Sequence, residues 1–223
     1  MDKQTIFQQV KDFYNQNCQT FSSSRKFWWP ELDFIRKYLK KKGSILDFGC
    51  GNGRLINFLD QEKSLLVYQG VDISQGLLTI AQKKYPQKKF LLIENNQNLP
   101  FAKESFDLVL AIAVFHHLSP SMAEKTLREI KRVLKKEGKI ILTVWNLWKF
   151  KYLTIIAKDF FKTRSLFSGQ IPFGSQKATR WCYWWTQKKL EKLLKKEGFE
   201  ILESGITRSQ NNEKRNYYLV GKK

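Results

Sequence analysis

An apolar strand that runs straight into three alternating glycines constrains this chain more than any other feature. Ile45-Leu46-Asp47-Phe48 precedes Gly49-Cys50-Gly51-Asn52-Gly53, and Leu55, Ile56, Phe58 and Leu59 then follow with helical spacing. Glycine lets backbone pass close to a ligand at a strand-to-helix junction, where unpaired helix N–H groups point outward. Val71-Asp72 closes a second apolar run about 20 residues later, the distance at which an acid meets ribose hydroxyls. Strand, glycine turn, helix, strand and acid together specify a nucleoside-binding α/β unit.

The glycine spacing narrows the choice of nucleoside. A dinucleotide fingerprint reads G-x-G-x-x-G, whereas Gly49, Gly51 and Gly53 give G-x-G-x-G with Asp47 just ahead. A carboxylate there repels a pyrophosphate and suits a ligand carrying an ammonium group. The D-x-G-x-G-x-G pattern resembles motif I of class I S-adenosylmethionine-dependent methyltransferases, whose cofactor has an amino-acid end and no phosphate. That resemblance implies S-adenosyl-L-methionine as cofactor, held by Asp47, Gly49, Cys50, Gly51, Asn52, Gly53, Asp72, Ile73 and Ala111. The class often carries Asp-Ala-x-x-Leu-Pro-Phe, its Asp taking the adenine amino group. Here Asn95 stands in that place, before Asn96, Leu99, Pro100 and Phe101. Asn95 and Asn96 are thus expected at the adenine, an amide oxygen accepting more weakly than a carboxylate.

From Ser44 to Gly198, short apolar runs alternate with amphipathic ones, the pattern of a parallel sheet with helices on both faces. Strands are expected at Ser44–Phe48, Leu65–Val71, Lys89–Glu94, Phe106–Ala111 and Lys139–Val144. Helices are expected to start near Asn52, Ser74, Ser119 and Thr186, with Glu137-Gly138 stopping the third before its strand. Phe199–Glu203 and Asn216–Val220 offer a closing hairpin. The expected fold is α/β and Rossmann-like, a doubly wound and mostly parallel sheet of about seven strands with the last antiparallel. Residues 1–223 are read as one methyltransferase domain. Residues 1–42 form an N-terminal helical cap, and the aromatic-rich stretch 146–185 is a lid over the substrate, since long insertions at strand C-termini wall the ligand crevice.

Composition sets bounds. Hydrophobic content of 42% with 14% aromatics reads as globular. The longest apolar stretch, Ile140 to Phe161, is broken by Lys149, Lys151, Lys158 and Asp159, so no membrane insertion is expected. Met1-Asp2-Lys3-Gln4 opens without an apolar signal core, and the separated cysteines Cys18, Cys50 and Cys182 suit a reducing cytosol; a cytoplasmic protein is expected. Net charge is +20, from 40 Lys+Arg against 20 Asp+Glu. It fits a polyanion such as RNA, and equally a Lys-rich composition drawn from an AT-rich genome. His116 and His117 are the only histidines and, with no cysteine or carboxylate cluster in the sequence around them, no metal site is expected. Adjacent side chains point in different directions, so one histidine faces the site while the other packs. His116 is the candidate donor or base.

Three separated pieces carry a narrower resemblance. They are Tyr14-Asn15 with Phe21-Ser22-Ser23-Ser24-Arg25 and Trp29-Pro30; Ala111-Ile112-Ala113-Val114-Phe115-His116-His117-Leu118 with Val144-Trp145-Asn146; and Ile171-Pro172-Phe173 with Arg180-Trp181-Cys182-Tyr183. Together they resemble the tRNA wobble-uridine carboxymethyl methyltransferases. The resemblance implies tRNA as substrate and, for its eukaryotic members, a small zinc-binding adaptor. The family's Arg-Tyr-Tyr-His stretch loses its histidine here. A carboxymethyl acceptor is already ionised at pH 7, with a pKa of about 4, so it needs no general base. Arg25 or Arg180 would hold it bidentately, and Trp28, Trp29, Trp181, Tyr183 and Trp184 offer faces for an unpaired base. Two alternatives stand beside this reading. One is a methyltransferase of a small metabolite, lipid or quinone, which the aromatic lid would suit. The other is a non-catalytic cofactor-binding subunit that binds RNA or regulates.

Overall fold

The alternating apolar runs become strands of one sheet. In the computed structural model, which describes residues 3–25, 29–62, 65–94, 98–148, 152, 167–173 and 178–223, five of these strands are parallel. They are β1 (Lys42–Phe48), β2 (Leu65–Asp72), β3 (Lys89–Leu92), β4 (Phe106–Ile112) and β5 (Leu134–Trp145). A two-stranded antiparallel ribbon, β6 (Ser168–Pro172) with β7 (Thr179–Tyr183), lies apart from them. The hairpin β8 (Glu200–Arg208) and β9 (Lys214–Lys222) completes the main sheet in the order β3-β2-β1-β4-β5-β9-β8, with β9 antiparallel to both neighbours. Strand order reverses between β1 and β4, and the crevice beyond their C-terminal ends is where such sheets bind ligands.

Period-two alternation sorts side chains onto two faces. Leu46, Phe48 and Val109 join one buried cluster with Leu127 and Ile130 of α5 (Pro120–Val133) and Leu190 and Leu194 of α6 (Gln187–Lys196). Ile45, Leu108 and Leu110 join another with Leu55, Ile56 and Phe58 of α3 (Arg54–Gln61) and with Leu32 and Ile35 of a 3-10 helix at Pro30–Tyr38. Each such side chain stabilises the fold by about 1.5–3 kcal/mol. The helix α4 (Gln75–Lys84) starts where Ser74 caps it, its hydroxyl accepting from the Leu77 amide at 3.2 Å. Thr186 caps α6 in the same way.

One boundary differs from expectation. α5 ends at Val133, and Glu137-Gly138 lies inside β5 instead of stopping the helix. Leu134 is fully buried and pairs with Phe106, so the chain joins the sheet early, and the register shifts before Leu108 meets Lys139. Glu137 takes a left-handed φ of 63° within that irregularity.

Two helices precede the sheet, α1 (Lys3–Gln16) and α2 (Cys18–Ser23). Ile6 and Val10 of α1 pack on Trp181 of β7, so the N-terminal segment and the β6–β7 ribbon meet over the crevice. No helix among the described residues is long and apolar enough to cross a membrane.

Candidate functional site

Beyond Phe48 the backbone turns through Gly49 at φ +76° and Gly51 at φ +55° before α3 begins. A Cβ on Gly49 would stand 2.4 Å from Val114 Cγ2, so both conformation and space require glycine there. The amides of Gly49 and Cys50 both donate to the Val71 carbonyl, at 2.8 and 2.9 Å. The Gly51 amide donates to Asp72 Oδ2 at 2.8 Å, and the Ser74 amide to Asp72 Oδ1 at 2.8 Å. Asp72 is therefore fixed at the strand end, and burial raises its pKa against the pull of those amides. Asp47 is also buried and accepts from the Tyr68 hydroxyl at 2.8 Å. Burial pushes it up to about 7.

The N-terminal helices roof this floor. Asn15 Oδ1 accepts from Ser74 Oγ at 2.9 Å and from the Gly76 amide at 3.1 Å, tying α1 to the start of α4. Asn52 Nδ2 donates to Ser22 Oγ at 3.0 Å, tying the glycine turn to α2. Between floor and roof lies a cleft. Asp47, Gly49, Cys50, Gly51, Asn52, Asp72 and Ile73 line it from below; Tyr14, Phe21 and Arg25 line it from the N-terminal segment. Two acids at separate points of a largely apolar cleft match a ligand with an ammonium at one end and a sugar further along. The donor set fits the cofactor that the glycine motif implies.

Trp145 and His117 close the other end. His117 Nδ1 lies 2.9 Å from the Trp181 carbonyl, which only accepts, so the proton sits on Nδ1 and Nε2 accepts from the Tyr14 hydroxyl at 2.8 Å. Burial, with Arg180 nearby, lowers His117 to about 3, and burial raises Tyr14 to about 12. Neither is a ready base or acid at neutral pH.

Several expected site residues stand elsewhere. His116 is not on the cleft wall: its ring is fully buried and stacks on Trp145 at 4.3 Å, with neither nitrogen hydrogen-bonded among the described residues. The 3-10 turn at Phe115–His117 aims His117 inward instead. Arg180 is 4% exposed and lies 4.2 Å over the Trp145 ring, with Nε and Nη1 unpartnered among the described residues. Ala111 lies in the core, and neither it nor Gly53 lines the cleft. Asn95, Asn96 and Trp28 fall outside the described residues. Trp181 and Trp184 are buried in packing, while Tyr183 is half-buried. Donor atoms of His116, His117 and Cys182 come within 4.8 Å of one another, a proximity the sequence did not reveal. The Arg180 charge bears on both histidines and on Cys182 and opposes a cation there. Tyr14, Asn15 and His117 join the site from pieces the sequence displays, whereas Arg54 and Tyr68 carry no local signal beyond their types.

Residues 46–142 match a family described as a methyltransferase domain. A protein of Encephalitozoon cuniculi named as a methyltransferase is 38% identical over 152 residues, covering 66% of this chain and 67% of that protein. A tRNA (carboxymethyluridine(34)-5-O)-methyltransferase of Arabidopsis thaliana is 34% identical over 137 residues, 61% of this chain but only 32% of that longer protein. A ubiquinone/menaquinone biosynthesis C-methyltransferase of Campylobacter jejuni is 31% identical over 218 residues, 89% of each chain. Among solved structures, a SAM-dependent methyltransferase from Methanosarcina mazei superposes with a TM-score of 0.74 at 22% identity, covering 88% of this chain and 98% of that one. The complex of the Haloferax volcanii Trm112 methyltransferase activator with a methyltransferase gives 0.68 at 17% identity, covering 96% of each chain.

Proposed function

Because the chain belongs to the S-adenosylmethionine-dependent methyltransferases, we propose that its acceptor is tRNA, at the carboxymethyl group of a modified wobble uridine. S-adenosylmethionine is the cofactor and supplies a methyl group activated by its sulfonium charge. On this reading Asp72 takes the ribose hydroxyls and Asp47 the ammonium of the methionine end. The observation that carries the acceptor assignment is the cleft's far end, where Arg25 offers a cation while Tyr14 and His117 offer no base. An acceptor that must lose a proton gains nothing there, whereas a carboxylate arrives ionised. Arg25 orients that carboxylate, and the Tyr14–His117 pair and the Trp145 ring keep water from it, which favours neutralising two opposite charges. Burial, and after it the Arg180 charge, holds His117 neutral. On this reading the described parts of residues 1–42 and 146–185 supply the acceptor wall of one domain.

The partner is part of the same reading. Leu65 and Val67 are 76% and 70% exposed at the start of β2, beside the edge strand β3 with its exposed Leu91 and Leu92. An open edge with an apolar face is suited to a small adaptor, and the Haloferax structural neighbour is solved in complex with a methyltransferase activator. The second reading, a small quinone-like acceptor, draws on the apolar walls Phe7, Val10, Phe21 and Leu118 and on the Campylobacter relative.

The test is transfer of labelled methyl from S-adenosylmethionine to tRNA carrying the free carboxymethyl group, with and without adaptor. The expected product is a methyl ester in the wobble nucleoside, released by mild alkali. Base-stable label, or label only in a lipid extract, would overturn the assignment.

A further inference from the structure

Arg54 opens α3 directly after Gly53. Its Nη1 is buried and meets no hydrogen-bond acceptor among the described residues. A guanidinium keeps its charge at any physiological pH, so a buried nitrogen of it left unanswered is costly unless something anionic comes to it. The fork is also held in place before anything arrives: the guanidinium carbon lies 3.8 Å over the Trp29 ring, which fixes the plane of its donors. Trp29 and Arg54 line the same cleft as Asp47 and the glycine turn.

Three charges bear on Arg54: Arg25 most strongly, then Asp47 and Glu31. Arg25 in turn lies within the influence of Arg180 and Tyr14, at the acceptor end. Arg54 and Asp47 line the cleft together with the glycine turn that joins them. The two are seven positions apart in sequence, one in the last residues of β1 and the other in the first of α3, and the glycine turn folds them together. An α-amino acid carries its ammonium and carboxylate on one carbon. A receptor for it must therefore offer an acid and a base to one pocket, as Asp47 and Arg54 do.

We propose that Arg54 is a cofactor-binding residue whose guanidinium, braced by Trp29, takes the methionine carboxylate of S-adenosylmethionine while Asp47 takes the ammonium. This rests on the donor-end assignment of Asp47 and owes nothing to the identity of the methyl acceptor. Arg54 thereby reads the one group that distinguishes the intact donor from its decarboxylated form, and Arg25 is left free for the acceptor.

The experiment compares two ligands by titration calorimetry on the full chain: S-adenosylhomocysteine, which has the amino-acid end, and 5′-methylthioadenosine, which lacks it. Wild type should bind both. Arg54→Gln should weaken S-adenosylhomocysteine about tenfold or more, since a charge-assisted pair is lost, and leave 5′-methylthioadenosine within twofold. Arg54→Lys keeps the charge without the fork, so its loss should be smaller and confined to the same ligand. It also decides the matter by itself if the glutamine variant fails to fold. Equal losses for both ligands would make Arg54 a prop of the glycine turn, and undiminished S-adenosylhomocysteine binding would remove it from the site; either result overturns the proposal. Failure of the wild type to bind S-adenosylhomocysteine at all would instead bring down the donor reading on which it stands.

Discussion

At the scale of single residues, Asp47 sets the electrostatics of the donor end. Burial lifts its pKa from 3.8 to about 7, against the pull of the Tyr68 hydroxyl. Below that value the carboxyl is neutral and has no attraction for an ammonium; above it the carboxylate attracts one. Donor affinity should therefore climb as pH rises from about 6 to about 7.5, before an α-amino group begins to lose its own proton at about 8. Calorimetry with S-adenosylhomocysteine across that window should show the dissociation constant falling several-fold in wild type and staying flat in Asp47→Asn. The same shift acts on stability. The native protein holds a proton that the unfolded chain releases near 3.8, so this group's contribution is full in acid and drains away as pH rises through about 7. Asp47, Asp72 and the glycines were legible in the sequence because backbone geometry admits few other residues there. Which of two neighbouring histidines faces the cleft was not: at a 3-10 turn neither strand nor helix periodicity applies, and only the fold shows that His117 is the one.

At the scale of elements, Asn15 ties the N-terminal roof to the start of α4. Asn15 Oδ1 serves both the buried Ser74 Oγ and the Gly76 amide at the start of α4. Asn15→Ala removes both bonds and should cost about 1–2 kcal/mol in urea unfolding. It should also raise hydrogen exchange in α1 and α2 while the central strands stay protected. The strands were readable from apolar runs and their alternation, and helix starts from Ser74, Ser119-Pro120 and Thr186. The end of α5 was misread because a Glu-Gly pair is a good local stop. The pull of Leu134 into a pairing with Phe106 is a long-range effect that no local signal carries. The adenine end stays an expectation on Asn95 and Asn96.

At the scale of the whole molecule, charge balance matters more than any one ion pair. Many acids are already engaged: Asp107 with Lys40 and Lys135, Glu124 with Arg128 and Lys196, Glu203 with Lys37. With a net charge of +20, the surplus is basic. Under the tRNA reading, affinity for tRNA should drop by about tenfold or more between 50 and 200 mM salt, through counterion release. Binding of S-adenosylhomocysteine should hardly change, its contacts lying inside the cleft. Filter binding and calorimetry on the same preparation would separate the two. An affinity for tRNA that ignores salt would count against a charged docking surface and return the excess lysine to genomic drift.

The bond between Tyr14 and His117 spans 103 residues, and Trp181, on which α1 rests, comes later still. Helix α1 therefore leaves the ribosome long before the ribbon that covers its apolar side exists. The earliest of these pieces to be synthesised is the last to dock, and until β7 has emerged the nascent protein carries the apolar side of α1 uncovered, a natural target for chaperones.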